Sequence, residues 1–159
     1  MPSFTTVTLS KQEFFYASQV GTMRQIASVL RGLPDRHGAK PADGWSLHIE
    51  GACGELAFAR ASGRFWSPSV DTFKSQGDVG GVEVRTRSEH HFELIVRESD
   101  DPSRVYALVT GRSPAFRVHG WLVGVDARRA DWLRTHGNRE AAYFVPQSEL
   151  RPLKELPAC

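Results

Sequence analysis

Three acidic residues and one arginine have the types and spacing of a site that could hold a metal ion and a phosphate. Glu55 lies among small and apolar residues in a predicted helix, within Gly51–Ala59. Asp78 follows a glycine just before a predicted strand, and Glu83 and Arg85 alternate along that strand, so they point to the same face. Carboxylates from separate elements can converge on a hard cation such as Mg²⁺, which neutralises a phosphate and lowers the pKa of an attacking water. The three acids are therefore candidate metal ligands and catalytic residues, and Arg85 is a candidate catalytic contact to phosphate.

Each acid also has an ordinary structural interpretation. Glu55 could point to water near the end of its helix, although a buried carboxylate there would need a cation, a metal or hydrogen-bond donors. An aspartate between glycine-rich residues, as at Asp78, is typical of turns. Glu83 could belong to the solvated face of a half-exposed sheet.

The hydrophobic periodicity predicts the elements that position these residues. Ser10 and Glu13 form a capping-box pair that begins a helix ending at Leu33. After Gly81 the period changes from that of a helix to that of a strand. A second helix is predicted at Leu47–Ala61. Strands are predicted at Val82–Thr86, His91–Arg97, Val105–Val109 and Ala115–Val125, the last of them interrupted at Gly120. A short helix at Ala127–Thr135 and a strand at Ala142–Val145 complete the prediction. Two helices followed by a run of strands predict an α+β domain around one sheet.

Composition and charge exclude several classes of protein. The chain has 159 residues, 40% of them hydrophobic and 24% charged, which is typical of a globular domain and not of a disordered chain. Two cysteines, Cys53 and Cys159, cannot form a disulfide framework, and no apolar run is long enough to span a membrane. The N-terminus lacks the pattern of a signal peptide, so we expect a cytoplasmic protein without a membrane partner.

The basic residues permit a phosphate-binding face without demonstrating one. The net charge is only +2, but 16 of the 20 basic residues are arginine, which binds phosphate in a bidentate way. Arg87, His90 and Arg97 lie on or beside the hairpin after the acidic strand, where they are candidate DNA-binding residues. Ordinary exposed strand ends would give the same pattern.

At Asp78–Thr86 the sequence resembles the second motif of the PD-(D/E)XK nuclease superfamily. The short spacing between the aspartate and the strand that carries the glutamate is similar to that of the MutH-type branch. Glu55 matches an acid that many members carry on the helix before the sheet. The resemblance covers about residues 50–97. Gly51–Ala59 and Gly120–Trp121 also look like segments of small phage or prophage proteins.

The resemblance implies a restriction-endonuclease-like core, in which a mixed central β-sheet is flanked by helices. It implies that Mg²⁺ or Mn²⁺ is the cofactor, that DNA is the partner and substrate, and that the reaction is hydrolysis of phosphodiester bonds. The chain is then one nuclease-like domain, with an N-terminal helix and loop at 1–46, a core at 47–125 and a C-terminal helix and strand at 126–159. If the chain is phage-encoded, it acts in the cytoplasm of a bacterial host. A homodimer would suit the cutting of two strands, but no residue in the sequence argues for one.

The sequence departs from the family pattern at the position of the usual lysine. Arg85 stands there, and arginine can hold phosphate but cannot act as a base, because it stays protonated in proteins. Lys74 is a candidate replacement and a candidate DNA contact, and Asp71 is an alternative first-motif acid at a wider separation from Glu83. These departures leave a second interpretation open, in which the domain binds DNA or a protein partner without cutting.

Overall fold

The computed structural model describes residues 3–32, 44–70 and 77–158. The fold is α+β, with a mixed four-stranded sheet and a second, three-stranded sheet. The helices are α1 (Lys11–Leu30) and α2 (Gly44–Ser62). The strands are β1 (Thr5–Thr8), β2 (Val82–Arg87), β3 (Leu94–Arg97), β4 (Val105–Arg112), β5 (Ala115–Val123), β6 (Leu133–Arg134) and β7 (Ala142–Val145).

The four-stranded sheet, called the main sheet below, has the order β1-β5-β4-β2. β2 runs parallel to β4, with Glu83 opposite Tyr106, and the other neighbours are antiparallel. In β5 a register shift next to Gly120 forms a bulge, at the point where the sequence predicts an interruption of the strand. The small sheet has the order β3-β7-β6 and is antiparallel throughout.

α2 packs on one face of the main sheet and α1 packs against α2, and small residues allow the close approach. A Cβ added at Gly54 in α2 would lie 2.0 Å from Thr86 Oγ1 in β2, and one at Gly21 in α1 would lie 2.4 Å from Ile49 Cα in α2. The predicted capping box begins α1: Glu13 N donates to Ser10 Oγ and Ser10 N donates to the Glu13 carboxylate. The glycines therefore determine how tightly α1, α2 and β2 can stack.

Two apolar clusters on opposite faces of the main sheet make the molecule three layers deep. Val109 and Val118 join the helix residues in one cluster, whereas Tyr106 and Leu108 join residues of the small sheet in the other. Successive strand residues point to opposite faces, so alternate positions of β4 serve different cores. The order of layers is helices, main sheet, small sheet.

Two sequence-based assignments need correction. The helix predicted at Ala127–Thr135 is wrong: the segment forms short 3-10 turns and then β6, which pairs with β7. A helix this short has little stability of its own, so pairing and burial of Trp132 decide the local structure. The end of the first helix was also predicted too late: α1 ends at Leu30 with Arg31 as its C-cap, and Leu33 itself lies outside the described residues. β1 was not predicted at all. Over the described ranges, no helix is both long and apolar enough to cross a bilayer.

Candidate functional site

Glu55 is buried in the helix layer, where its charge is balanced. Its side chain is 9% exposed and accepts hydrogen bonds from Arg24 Nη1 and Nη2 at 2.8 and 3.0 Å. Trp66 Nε1 donates to the same carboxylate at 2.9 Å. Arg24 is itself fixed by a hydrogen bond from Nε to the carbonyl of Ser69 at 3.0 Å. The sequence-based expectation that a buried Glu55 would meet a cation and donors is confirmed.

Asp78 and Glu83 lie together at the start of β2. Val84 N donates to Asp78 Oδ2 at 2.8 Å, and Asp78 N donates to Val82 O at 2.9 Å, so the turn holds this carboxylate against the strand. Glu83 is buried, and Arg104 Nη1 donates to its Oε1 at 2.5 Å. Asp78 lies in the turn before edge strand β2 and Glu83 lies near the start of that strand, so their short separation in sequence keeps the two acids close.

Burial is the main cause that raises the pKa of Glu83, and repulsion from the Asp78 carboxylate raises it further. The hydrogen bond and charge of Arg104 and the charge of Arg85 act in the opposite direction. Two carboxylates in a partly desolvated place repel each other, so a cation beside them is strongly favoured. Arg104 supplies that cation in the structure.

Arg85 lies on the same face of β2 as Glu83 but is held by other partners. Its Nη2 atom pairs with Asp100 Oδ1 at 2.9 Å, and its guanidinium lies 5.2 Å from the ring centroid of Tyr106. About a fifth of the side chain is exposed. Arg85 is therefore a fixed positive charge that faces solvent in part, next to the acid pair formed by Asp78 and Glu83.

The structure does not bring Glu55 to that acid pair. Gly54 in α2 contacts Thr86, which places α2 on the face of β2 that carries Val82 and Thr86. Glu83 alternates with those residues and points to the other face. Within the described ranges, no three Asp, Glu, His or Cys side chains come together as a metal site. Asp71 and Lys74, the alternative acid and the alternative cation, lie outside the described residues.

The candidate DNA-binding residues fall into two groups. Arg87 and Arg97 line a cavity of about 790 Å³. Arg87 Nη1 donates to Glu93 O at 3.0 Å, and its guanidinium lies 4.2 Å from the ring centroid of Phe92. His90 does not line the cavity; its Nδ1 is 3.0 Å from Thr110 Oγ1.

Sequence reasoning missed the residues on the other side of this cavity. We call the concave surface the arginine groove and define it by Arg87, Phe92, Arg97, Arg134, Arg139 and Phe144. Arg134 was missed because it was assigned to a helix. In the structure it lies on β6, which pairs with β7 and so places Arg134 at the groove. The available signal was that Arg134 and Arg139 are followed closely by the aromatic residues Tyr143 and Phe144.

Comparison of the chain with protein-family models, curated proteins and solved structures gave no match.

Proposed function

We propose that this protein is a metal-dependent nuclease that hydrolyses phosphodiester bonds in DNA. The acid pair of Asp78 and Glu83 would hold Mg²⁺ or Mn²⁺, and Arg85 would contact the phosphate. The observation that carries the proposal is that the carboxylates of Asp78, in the turn before edge strand β2, and Glu83, near the start of that strand, repel each other beside Arg104 and Arg85.

Two carboxylates suit the coordination chemistry of Mg²⁺. This ion usually keeps several waters and binds through one or two carboxylates together with substrate phosphates. Repulsion between Asp78 and Glu83 favours a cation at this place, and Arg104 would have to release or share Glu83 when a metal binds. When bound, the ion would supply charge neutralisation and a more acidic water.

Arg85 would act as a charge and not as a base. Arginine remains protonated, so it can hold a phosphate oxygen but cannot remove a proton from water. Its ion pair with Asp100 and its position over Tyr106 keep the guanidinium near the acid pair. A phosphate that binds there would compete with Asp100 for the same donors.

Cleavage assays test the proposal directly. Supercoiled plasmid and labelled single- and double-stranded DNA are incubated with Mg²⁺, Mn²⁺ or EDTA. We expect cleavage that needs metal and is lost in Glu83→Gln, which removes one ligand charge at nearly constant volume. Glu98→Gln, a change at an exposed residue, is the matched control and should cut like the parent. A folded parent that cuts nothing in either metal, or a Glu83→Gln variant that cuts normally, would contradict the proposal.

A second candidate function is DNA binding without cleavage. It is favoured by the position of Glu55, whose carboxylate is held by Arg24 and Trp66 in the helix layer and not beside the acid pair. Isothermal titration calorimetry with Mn²⁺ distinguishes the two. Binding that Glu83→Gln abolishes supports the nuclease, whereas salt-sensitive DNA binding with no Mn²⁺ binding supports the second function.

Cytoplasmic location, DNA as partner and a homodimer belong to the same proposal. A two-fold dimer would present two acid pairs to the two strands of a duplex. Light scattering coupled to size-exclusion chromatography, with and without DNA, measures the oligomeric state. A monomer that cuts both strands would remove the argument for the dimer.

A further inference from the structure

The arginine groove covers the outer face of the small sheet. Its centre is the cross-strand pair of Ile95 and Phe144, whose neighbours in the core, Leu94 and Val145, point inward to the second apolar cluster. In the next row, Arg97 lies opposite Ala142, and Arg134 lies opposite Ala142 from the other side. Two arginines therefore flank a small residue beside an aromatic ring.

Flat side chains line this groove. The guanidinium of Arg134 lies 4.6 Å from the ring centroid of Phe144, and the ring of His136 meets Phe144 edge-on at 4.7 Å. At the other end, Arg87 lies over Phe92. Aromatic rings and guanidinium planes are the surfaces on which unpaired bases stack in proteins that bind single strands.

The groove also has the charge for a polyanion. Its lining contains four arginines and two glutamates, an excess of two positive charges and as much as the net charge of the whole chain. Burial lowers the pKa of Arg87, and the positive charges of Arg139 and Arg134 lower it further, against the effect of Glu93. Crowded cations of this kind are stabilised by an anionic ligand.

We propose that the arginine groove binds a single-stranded polynucleotide, whose bases stack on Phe144 and the guanidinium planes. Its phosphates would contact Arg139 and would compete with Glu93 for Arg134, because Arg134 pairs with that carboxylate in the structure. A duplex would keep its bases stacked internally and leave the ring surfaces unused. The surface is separate from the acid pair, and the proposal does not depend on cleavage.

The position of the groove relates it to the acid pair. Glu83, Arg85 and Arg87 occupy alternate positions of β2 and share one face. Arg87 lies four positions after Glu83 along β2, a distance of ~13 Å along the backbone. A strand leaving the groove past Arg87 would thus be directed along β2 towards Glu83.

Fluorescence anisotropy in EDTA tests binding without metal chemistry. The probes are labelled 12-nucleotide oligo-dT, 12-nucleotide oligo-U and a 12-base-pair duplex, each titrated at several NaCl concentrations. We expect tighter binding of the single strands than of the duplex. Arg139→Ala should weaken binding and lower the salt dependence by about 0.7 in log–log slope, the value for one lost phosphate contact to a single strand.

Phe144→Leu separates stacking from charge. It should weaken single-strand binding by about fivefold or more, because one stacked base contributes at least ~1 kcal/mol, while the salt slope stays that of the parent. Arg112→Ala, which removes an exposed arginine paired with Glu89, is the charge-matched control and should bind like the parent.

Three outcomes would overturn the proposal. They are no binding at low salt, a preference for the duplex, or binding by Arg139→Ala and Phe144→Leu that is as tight as binding by Arg112→Ala.

The Glu83→Gln variant distinguishes this test from the test of the nuclease. If Glu83→Gln binds single strands like the parent but does not cut, both proposals stand. If the parent cuts and the groove variants bind normally, only the groove proposal fails; if the parent binds but does not cut, only the nuclease fails.

Discussion

Replacing Glu55 by glutamine should destabilise the protein while leaving the acid pair intact. Glu55 accepts two hydrogen bonds from Arg24 and one from Trp66, and glutamine keeps the shape but removes the charge. Breaking a fully buried ion pair costs about 3–5 kcal/mol, whereas an exposed pair contributes about 0–1 kcal/mol. Arg24 retains 19% exposure, so we expect an intermediate cost of about 2–3 kcal/mol.

Thermal and urea denaturation measure this cost. For a chain of this length, it corresponds to a fall in melting temperature of about 4–12 °C. A double-mutant cycle with Arg24→Met isolates the pair from the other contacts of Glu55, since part of the penalty is the arginine left without its partner. Glu89→Gln, which breaks an exposed ion pair with Arg112, is the control and should melt like the parent.

The same variant tests whether Glu55 is structural or a metal ligand. Because Glu55 lies in the helix layer, Glu55→Gln should bind Mn²⁺ as the parent does. A variant with the melting temperature of Glu89→Gln and with weakened Mn²⁺ binding would refute the reasoning, because Glu55 would then act at the acid pair and not in the ion pair with Arg24.

Three further outcomes follow from buried groups. Gly54→Ala should cost about 1–3 kcal/mol, since its Cβ would lie 2.0 Å from Thr86 Oγ1, and adding Thr86→Ala should restore most of that loss in urea denaturation. Burial lowers the pKa of His119 from 6.5 to about 4, so below pH 6.5 the unfolded state binds its proton first. The contribution of neutral His119 to the free energy of unfolding should be fully present above pH 6.5 and should fall by about 3 kcal/mol as the pH approaches 4. The fall should be smaller in His119→Gln, and equal pH dependence in both proteins would contradict this reasoning. Burial raises the pKa of the Cys53 thiol to about 12. In a Cys159→Ser variant, Cys53 should therefore react with a disulfide reagent at pH 8 only after the protein unfolds. Rapid reaction of the folded protein would show that Cys53 is accessible.

Local patterns were sufficient for much of the fold. The capping box at Ser10 and Glu13 began α1 where predicted, and the change of period after Gly81 coincided with β2. The bulge at Gly120 followed from a glycine inside a strand pattern. Each of these signals depends only on residues within a few positions of one another, so it can be read from a short segment of the sequence.

Within the candidate site, only the contacts between residues that are close in sequence could be predicted. The proximity of Asp78 and Glu83 follows from their short separation around one turn. Glu55 was expected to be buried with a cation, but its cation is Arg24 on the other helix, 31 positions away. The separation of Glu55 from Glu83 depends on which face of the main sheet α2 covers. No local sequence pattern predicts that face.

The sequence by itself determined that this is an α+β chain with arginine-rich, phosphate-compatible charge and an acid pair at the start of a strand. Only the tertiary structure decided that Glu55 belongs to the helix layer and that Arg87, Arg97 and Arg134 meet in one groove. The physical reason is that β6 has two residues and no periodicity, so its pairing with β7 is stabilised by long-range contacts and not by local propensity.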